Sequence, residues 1–109
     1  MNPRPVVLVT GAARRVGRAI ALDLAHHGFD VAVHFHTSSH EAQEVVAAAQ
    51  AAGARAQAFA ADLAQETAVR QLVTQVAESF GGLDAVVNNA SAFAYDDLES
   101  FSSVSYTHL

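Results

Sequence analysis

The chain contains no cysteine, so neither a disulfide framework nor a thiolate metal site is open to it. It contains no lysine: all six basic residues are arginine, set against 11 acidic ones, and the formal net charge is −5. That balance argues against general nucleic-acid binding, which needs a basic face. No apolar run reaches the roughly 18 residues of a membrane-spanning helix. The opening residues Met1 to Pro5 run straight into an apolar segment and are too short for a secretory leader. These absences lead to the expectation of a cytoplasmic protein with no membrane and no nucleic-acid partner. With 109 residues there is room for one domain at most, and a hydrophobic content of 51%, inflated by alanine, suits a helix-rich α/β domain and not a disordered chain. There is no internal repeat beyond strand–helix alternation and no linker-like segment of low complexity.

What is present is organised around one stretch, Val6-Val7-Leu8-Val9-Thr10-Gly11-Ala12-Ala13-Arg14-Arg15-Val16-Gly17-Arg18. Val6 to Val9 have the continuous apolar pattern of a parallel strand covered on both faces. Gly11 permits a tight turn, and Gly17 allows the backbone to come close to a ligand or a neighbouring strand. Ile20, Leu22, Leu24 and Ala25 continue as a helix that stops at Gly28. A helix that begins at such a turn points free N–H groups and a positive dipole end outward, which suits a phosphate. Arg14, Arg15 and Arg18 cluster there against the acidic background of the chain, and arginine pairs bidentately with phosphate. The same arginines would also be tolerated at a solvated helix start.

The second strand is predicted over Val31 to Phe35 and completes a strand–helix–strand unit of parallel hand. An acidic residue at its end would bond the adenosine ribose of NAD(H) and repel a 2′-phosphate. The chain instead has Phe35 followed by His36, Thr37 and Ser38, with no carboxylate before Glu41. NADP(H) is therefore expected over NAD(H), with His36 and the hydroxyls receiving the phosphate. Ser38 and Glu41 also fit a capping box for the next helix, and the two roles are compatible.

Residues 39–52 are predicted as an alanine-rich helix closed by Gly53, and Ala56 to Ala60 as a weak third strand running into Asp62 and Leu63. Residues 65–80 are the best helix by periodicity, since Val69, Leu72, Val73, Val76 and Phe80 recur at i, i+3, i+4, i+7 and i+11. Leu83 to Val87 form an apolar fourth strand, followed by Asn88-Asn89-Ala90-Ser91. The resulting alternation predicts the N-terminal half of a Rossmann-type doubly wound α/β sheet, strand order 3-2-1-4, truncated after its first half. Ligands lie at the carboxyl ends of such strands, where Gly11, Arg15, His36, Asp62 and Asn89 would collect.

Thr10-Gly11 with Arg15-Val16-Gly17, Asp62-Leu63 and Asn88-Asn89-Ala90, in that order and spacing, resembles the short-chain dehydrogenase/reductase family. Two departures from its usual pattern, Arg15 and Ser91 in place of glycines, resemble the pteridine reductase branch, as do His34-Phe35-His36 and Phe93. The resemblance implies a cofactor site of Gly11, Arg14, Arg15, Val16, Gly17, His36, Thr37, Ser38, Asp62, Leu63, Asn89, Ala90 and Ser91. It further implies that Arg15, Ser91 and Phe93 meet the substrate, with Phe93 stacked on a pterin ring. The implied activity is NADPH-dependent reduction of a pterin or of another small carbonyl or imine substrate. The alternative is a non-catalytic NADP(H)-binding sensor or regulatory module.

The family delivers its proton through a Tyr-x-x-x-Lys pair, because a phenol near pKa 10 is a poor acid at neutral pH without a neighbouring cation. Neither Tyr95 nor Tyr106 is followed by a basic residue four positions on, so no catalytic residue of that kind is present in this chain. A full-length member would be roughly twice as long and is expected to be a homo-oligomer. Residues 1–102 are therefore expected to form an NAD(P)-binding half domain, and 103–109, which resemble translated adaptor sequence, a non-native tail. Such a half sheet would leave its fourth strand as an open edge and be weakly stable. His34 and His36 share one face of a strand and His26 and His27 end a helix, but with no third convergent ligand no metal site is expected.

Overall fold

A computed structural model describes residues 4–90 and, as backbone, residues 105–108. The strands are β1 (Val6–Val9), β2 (Asp30–Phe35), β3 (Ala56–Ala60), β4 (Ala85–Asn88) and β5 (Ser105–His108). They make one parallel sheet in the order β3-β2-β1-β4-β5. Helices α1 (Arg15–His26), α2 (Ser39–Ala51) and α3 (Glu66–Phe80) connect the first four strands. The expected order 3-2-1-4 is present, and β1 sits between β2 and β4, where the winding reverses.

The continuous apolar strands are explained by cover on both faces. On one face Val6, Leu8, Ala32 and Val86 pack with Val69, Leu72, Val73, Val76 and Phe80 of α3. On the other, Val7, Val9, Val31 and Val33 meet Ala21 and Ala25 of α1 and Ala42, Val45, Val46 and Ala49 of α2. The stripe read from α3's sequence is therefore the buried stripe. The fourth strand begins at Ala85 and not at Leu83, because Leu83 is already in the core while the Asp84 N–H turns to the Val6 carbonyl at 2.9 Å, ahead of the ladder.

Two local expectations are corrected. The fourth strand is not an edge: β5 pairs along it, Ala85 opposite Ser105 and Asn88 opposite His108. These β5 residues fall in the segment set aside as a non-native tail. A parallel ladder is built from main-chain N–H and C=O groups, which any sequence supplies, so the pairing is independent of the segment's origin. The capping box of Ser38 and Glu41 does not form either. Ser38 stands at the N-cap of α2 without a side-chain hydrogen bond, and Glu41 is drawn instead to Arg14, 3.7 Å away.

Both α1 and α2 close as their glycines require. Gly28 at φ +95° and Gly53 at φ +97° turn the chain into the left-handed region. The N–H groups of Phe29 and Ala54 then reach back to the carbonyls of Leu24 and Ala49. His27 adds a ring-nitrogen bond of 2.7 Å to the Asp23 carbonyl, the expected role of a histidine at a helix C-terminus.

The end of the sheet away from β1's glycine turn is tied by one buried carboxylate. Asp30, 2% exposed, accepts the Arg55 main-chain N–H at 2.8 Å and the Arg55 Nε at 2.7 Å. Arg4 Nε lies 3.1 Å from Oδ1, the oxygen that takes the Arg55 main-chain N–H, but off the hydrogen-bond direction, while the Arg4 guanidinium donates to the carbonyls of Ala25 and Phe29 at 2.9 Å. Arg55 also sits 5.3 Å over the Phe80 ring, joining β3 to the end of α3. Removing the anion would leave two guanidinium groups facing each other and the Arg55 main-chain N–H without its acceptor. Asp30→Ala is therefore expected to destabilise the chain by about 3 kcal/mol, and Arg55→Ala, whose side chain is largely solvated, by about 1 kcal/mol. Urea unfolding midpoints check both.

Candidate functional site

The carboxyl ends of β1 and β4 are joined through one hydroxyl. Thr10, fully buried, donates from Oγ1 to Asn88 Oδ1 at 2.9 Å. The same oxygen accepts the main-chain N–H groups of Asn89 at 2.9 Å and Ala90 at 3.1 Å. A fourth link runs from Asn89 Nδ2 to the Gly11 carbonyl at 3.3 Å. A donor and two acceptor positions are what a hydroxyl offers, and here all are used.

Gly11 leaves β1 at φ +63°. The chain then folds α1's first turn back on it so closely that a Cβ on Gly17 would lie 2.0 Å from the Gly11 carbonyl oxygen and 2.7 Å from Asn89 Nδ2. Only glycine fits at 17. Arg15 is the one non-glycine described residue with positive φ, at 54°. This is the position where the sequence pattern departs from glycine, and the conformation costs a side chain about 1–2 kcal/mol. Arg14, Arg15 and Val16 are exposed, Val16 to 60%, an unusual setting for a valine. No side chain caps α1 and its first turn holds no acid, so the first N–H groups remain available to an anion.

His34 is a site residue that periodicity did not single out, except as a weak metal candidate. It is 3% exposed. Its Nδ1 accepts the Gly11 N–H at 2.9 Å, its carbonyl accepts the Ala12 N–H at 2.9 Å, and its Nε2 meets the Ala61 carbonyl at 2.9 Å. A main-chain N–H can only donate and a carbonyl only accept, so the ring is neutral with its proton on Nε2. Burial pushes the imidazole below its ordinary 6.5; the Ala61 bond opposes this and the neighbouring His36 adds to it. With both nitrogens engaged, His34 is unavailable as a metal ligand. Among the described residues no group of three or more His, Cys, Asp or Glu converges.

The other expected residues ring this centre. His36 and Thr37 are exposed where β2 ends, with half-buried Ser38 behind them. Asp62 is exposed after β3 and accepts the Ala64 N–H at 3.0 Å, while Leu63 is buried against α3. The strands thus bring Gly11, Gly17, Asn89 and Ala90 into contact and set Arg14, Arg15, His36 and Asp62 around the same end of the sheet. Arg14 is engaged with Glu41. Ser91 and Phe93 lie outside the described residues. Thr10 and His34 stood in the sequence as members of the Thr10-Gly11 and His34-Phe35-His36 motifs, and only a hydroxyl at the end of an apolar strand and a polar ring inside one hinted at what their side chains hold.

Comparison with known proteins agrees with this geometry. A family model described as short chain dehydrogenase matches residues 5–108. Among curated proteins, hydroxynaphthalene reductase of Aspergillus fumigatus is 44% identical over 86% of this chain and 34% of its own length. The 3-oxoacyl-[acyl-carrier-protein] reductase FabG of Staphylococcus epidermidis is 42% identical over 76% of this chain and 34% of its own. A short chain dehydrogenase of Burkholderia cenocepacia, solved in complex with NADP, superposes with a TM-score of 0.77 at 44% identity, covering 91% of this chain and 44% of that one. The chain therefore spans about a third of the length of the curated relatives it matches.

Two measurements test the centre. Thr10→Val keeps the shape but strands two N–H groups and takes a donor from Asn88 Oδ1, and should cost about 2–4 kcal/mol, whereas Thr10→Ser should cost about 1 kcal/mol or less. Because the folded pKa of His34 lies below its unfolded value, the unfolded chain binds more protons in that window. Its contribution to stability is complete above about pH 6.5 and is lost as the pH falls below it. Urea midpoints from pH 8 down to about 5 should fall in wild type more steeply than in His34→Asn.

Proposed function

The chain belongs to the short chain dehydrogenase family, and from that premise we propose that it is the cofactor-binding part of an NADPH-dependent oxidoreductase. One observation carries the reading: the glycine turn packs on Asn89 and presents an uncapped, acid-free helix start beside exposed arginines. The residues present fit a dinucleotide. Gly17 has no side chain to obstruct the turn, and the first N–H groups of α1 with Arg14, Arg15 and Val16 would hold the pyrophosphate. Asp62 and Leu63 would border the adenine, Leu63 chiefly through its main chain, and Asn89, Ala90 and Ser91 the ribose nearer the nicotinamide. His36, Thr37 and Ser38 would take the 2′-phosphate, toward which Arg14 can swing from its weak, solvated pair with Glu41. The relative from Burkholderia cenocepacia, solved with NADP, supports this choice of cofactor.

NADPH supplies the hydride. This chain's part is to bind and orient it and to form one wall of the substrate site. No proton donor of the Tyr-x-x-x-Lys kind lies in these 109 residues, and none is assigned. The substrate is a small carbonyl or imine compound, with a pterin favoured. Arg15 supports that choice, because it holds an exposed cation in a backbone conformation that glycine would adopt without strain, which a specific contact would justify. Ser91 and, by stacking, Phe93 complete the proposed substrate contacts. The whole enzyme is proposed to be a cytoplasmic homo-oligomer, with residues 103–109 a non-native addition to this chain. Among the described residues no helix is long and apolar enough to cross a membrane.

Calorimetric titration of the chain with NADP⁺ and NAD⁺ tests the cofactor assignment. NADP⁺ should bind at least about ten-fold more tightly, the difference shrinking in Arg14→Ala and His36→Ala. Equal affinities, or tighter NAD⁺ binding, would overturn it. Arg15→Gly should leave stability unchanged or raise it by up to about 1 kcal/mol, while weakening binding of a pterin to the NADP⁺-loaded chain.

A further inference from the structure

The cofactor assignment draws on two separate walls: the Gly11 turn that would face the pyrophosphate, and the loop after β3, Ala61-Asp62-Leu63, that would face the adenine. A single side chain spans them. His34 holds the Gly11 N–H with Nδ1 and the Ala61 carbonyl with Nε2, each at 2.9 Å, while its own carbonyl fixes the next N–H of the turn, that of Ala12. Resting on the cofactor reading above, we propose that His34 is a positioning residue for the dinucleotide: its neutral ring sets the spacing of the phosphate turn and the adenine loop, and its protonation opens that spacing and weakens cofactor binding.

The chemistry follows from the two neighbours. Neutral imidazole offers one acceptor and one donor, which matches an amide N–H on one side and a carbonyl on the other. An added proton would sit on Nδ1, directly against the Gly11 N–H. Two donors would then face each other in a buried place, and Gly11 would have to turn away or leave its N–H unsatisfied. Gly11 can move more readily than most residues, but its carbonyl is held by Asn89 and lies under Gly17. A shift at Gly11 is therefore passed to the start of α1.

Few charges compete for the ring. On β2 the one titratable neighbour is His36, which disfavours a second positive charge beside it. Across β3 the ring's register partner is Phe59, and on β1 the adjoining residues are Val9, Thr10 and Gly11, all uncharged. The side of α3 packed on this face is apolar, with Val69, Leu72 and Val73, while Glu66 and Arg70 pair with each other on its exposed side. Asp62, one residue beyond Ala61, is exposed and turned to Ala64. No buried carboxylate among these neighbours stands ready to stabilise an imidazolium.

The test compares the 109-residue chain with His34→Asn and His34→Gln, neither of which titrates. Asparagine places an amide near the Nδ1 position and can still accept from Gly11; glutamine reaches the Nε2 position and can still donate to Ala61. NADP⁺ affinity is measured by calorimetry from pH 7.5 to about 5, within the range where circular dichroism is unchanged. The expected result is that His34→Asn binds within about three-fold of wild type at pH 7.5, and that the ratio of wild-type to His34→Asn affinity falls about ten-fold toward acid, as for a one-unit difference in proton affinity. Protonation of the 2′-phosphate affects both proteins alike and cancels in the ratio, and repeating the comparison on a His36→Asn background removes the one charge coupled to the ring. His34→Gln, which leaves the Gly11 N–H without its acceptor, should bind more weakly than His34→Asn at every pH. A ratio constant with pH overturns the proposal while leaving the cofactor assignment intact; no binding at pH 7.5 removes both. Independently of any ligand, ¹⁵N NMR of the wild-type ring should show the Nε2–H tautomer at neutral pH, with the Gly11 amide shift following the ring's titration. An Nδ1–H ring, or a Gly11 amide indifferent to it, overturns the proposal.

Discussion

A methyl group at position 17 would collide with the carbonyl oxygen of Gly11, and the rest of the molecule is arranged so that this approach can be made. The helix must begin almost on top of the strand that precedes it if its free N–H groups are to open at the sheet's end. That demands a left-handed glycine at 11, no side chain at 17, and partners for the main-chain groups that the sharp turn exposes. Asn89 supplies one from β4's side and His34 supplies two from β2's. The turn is thus held by both strands that flank β1, at the point where the winding of the sheet reverses.

The two ends of the sheet show different solutions to burying polar atoms. At one end Asp30 gathers two arginines, an ionic knot whose function is to close the floor. At the other, Thr10, Asn88, Asn89 and His34 make a network of neutral donors and acceptors. Uncharged groups are the better choice beneath the proposed phosphate site. A fixed cation or anion there would bias the field that the helix start and the exposed arginines present to a ligand.

Most of the fold was legible because its signals are local. The apolar runs at Val6 to Val9 and Ala85 to Val87, the stripe of α3 and the glycines after each helix can be read within a few residues of themselves. Gly11, Gly17 and Asn89 were legible for the same reason, as short motifs with a backbone requirement. Thr10 and His34 were legible only as members of the Thr10-Gly11 and His34-Phe35-His36 motifs; what their side chains hold was not, since their partners lie between 23 and 80 residues away. The Ser38–Glu41 pair shows the opposite failure. It has the spacing of a cap, but no side-chain cap bond forms and the carboxylate lies instead within reach of Arg14 from another element, which local spacing does not reveal. Strand β5 could not be read from side-chain pattern at all, because its pairing along β4 is made by backbone.

The Thr10 hydroxyl also imposes a timetable. Its partners are 78 to 80 residues further along the chain. At about 5–20 residues per second of synthesis, β1 emerges roughly 4–16 s before the amides that complete it. Once β2 has followed, about 1–5 s after Gly11 at the same rate, β1 and β2 can pair and His34 can close on Gly11, but the central strand has one bare flank and a buried-to-be hydroxyl open to water. The nascent chain thus passes through a two- and then three-stranded sheet whose exposed side is the one that β4 must later enter. The link from β4 to β1 is made only after the first three strands are present, so on the ribosome the proposed cofactor site is complete no earlier than Asn89.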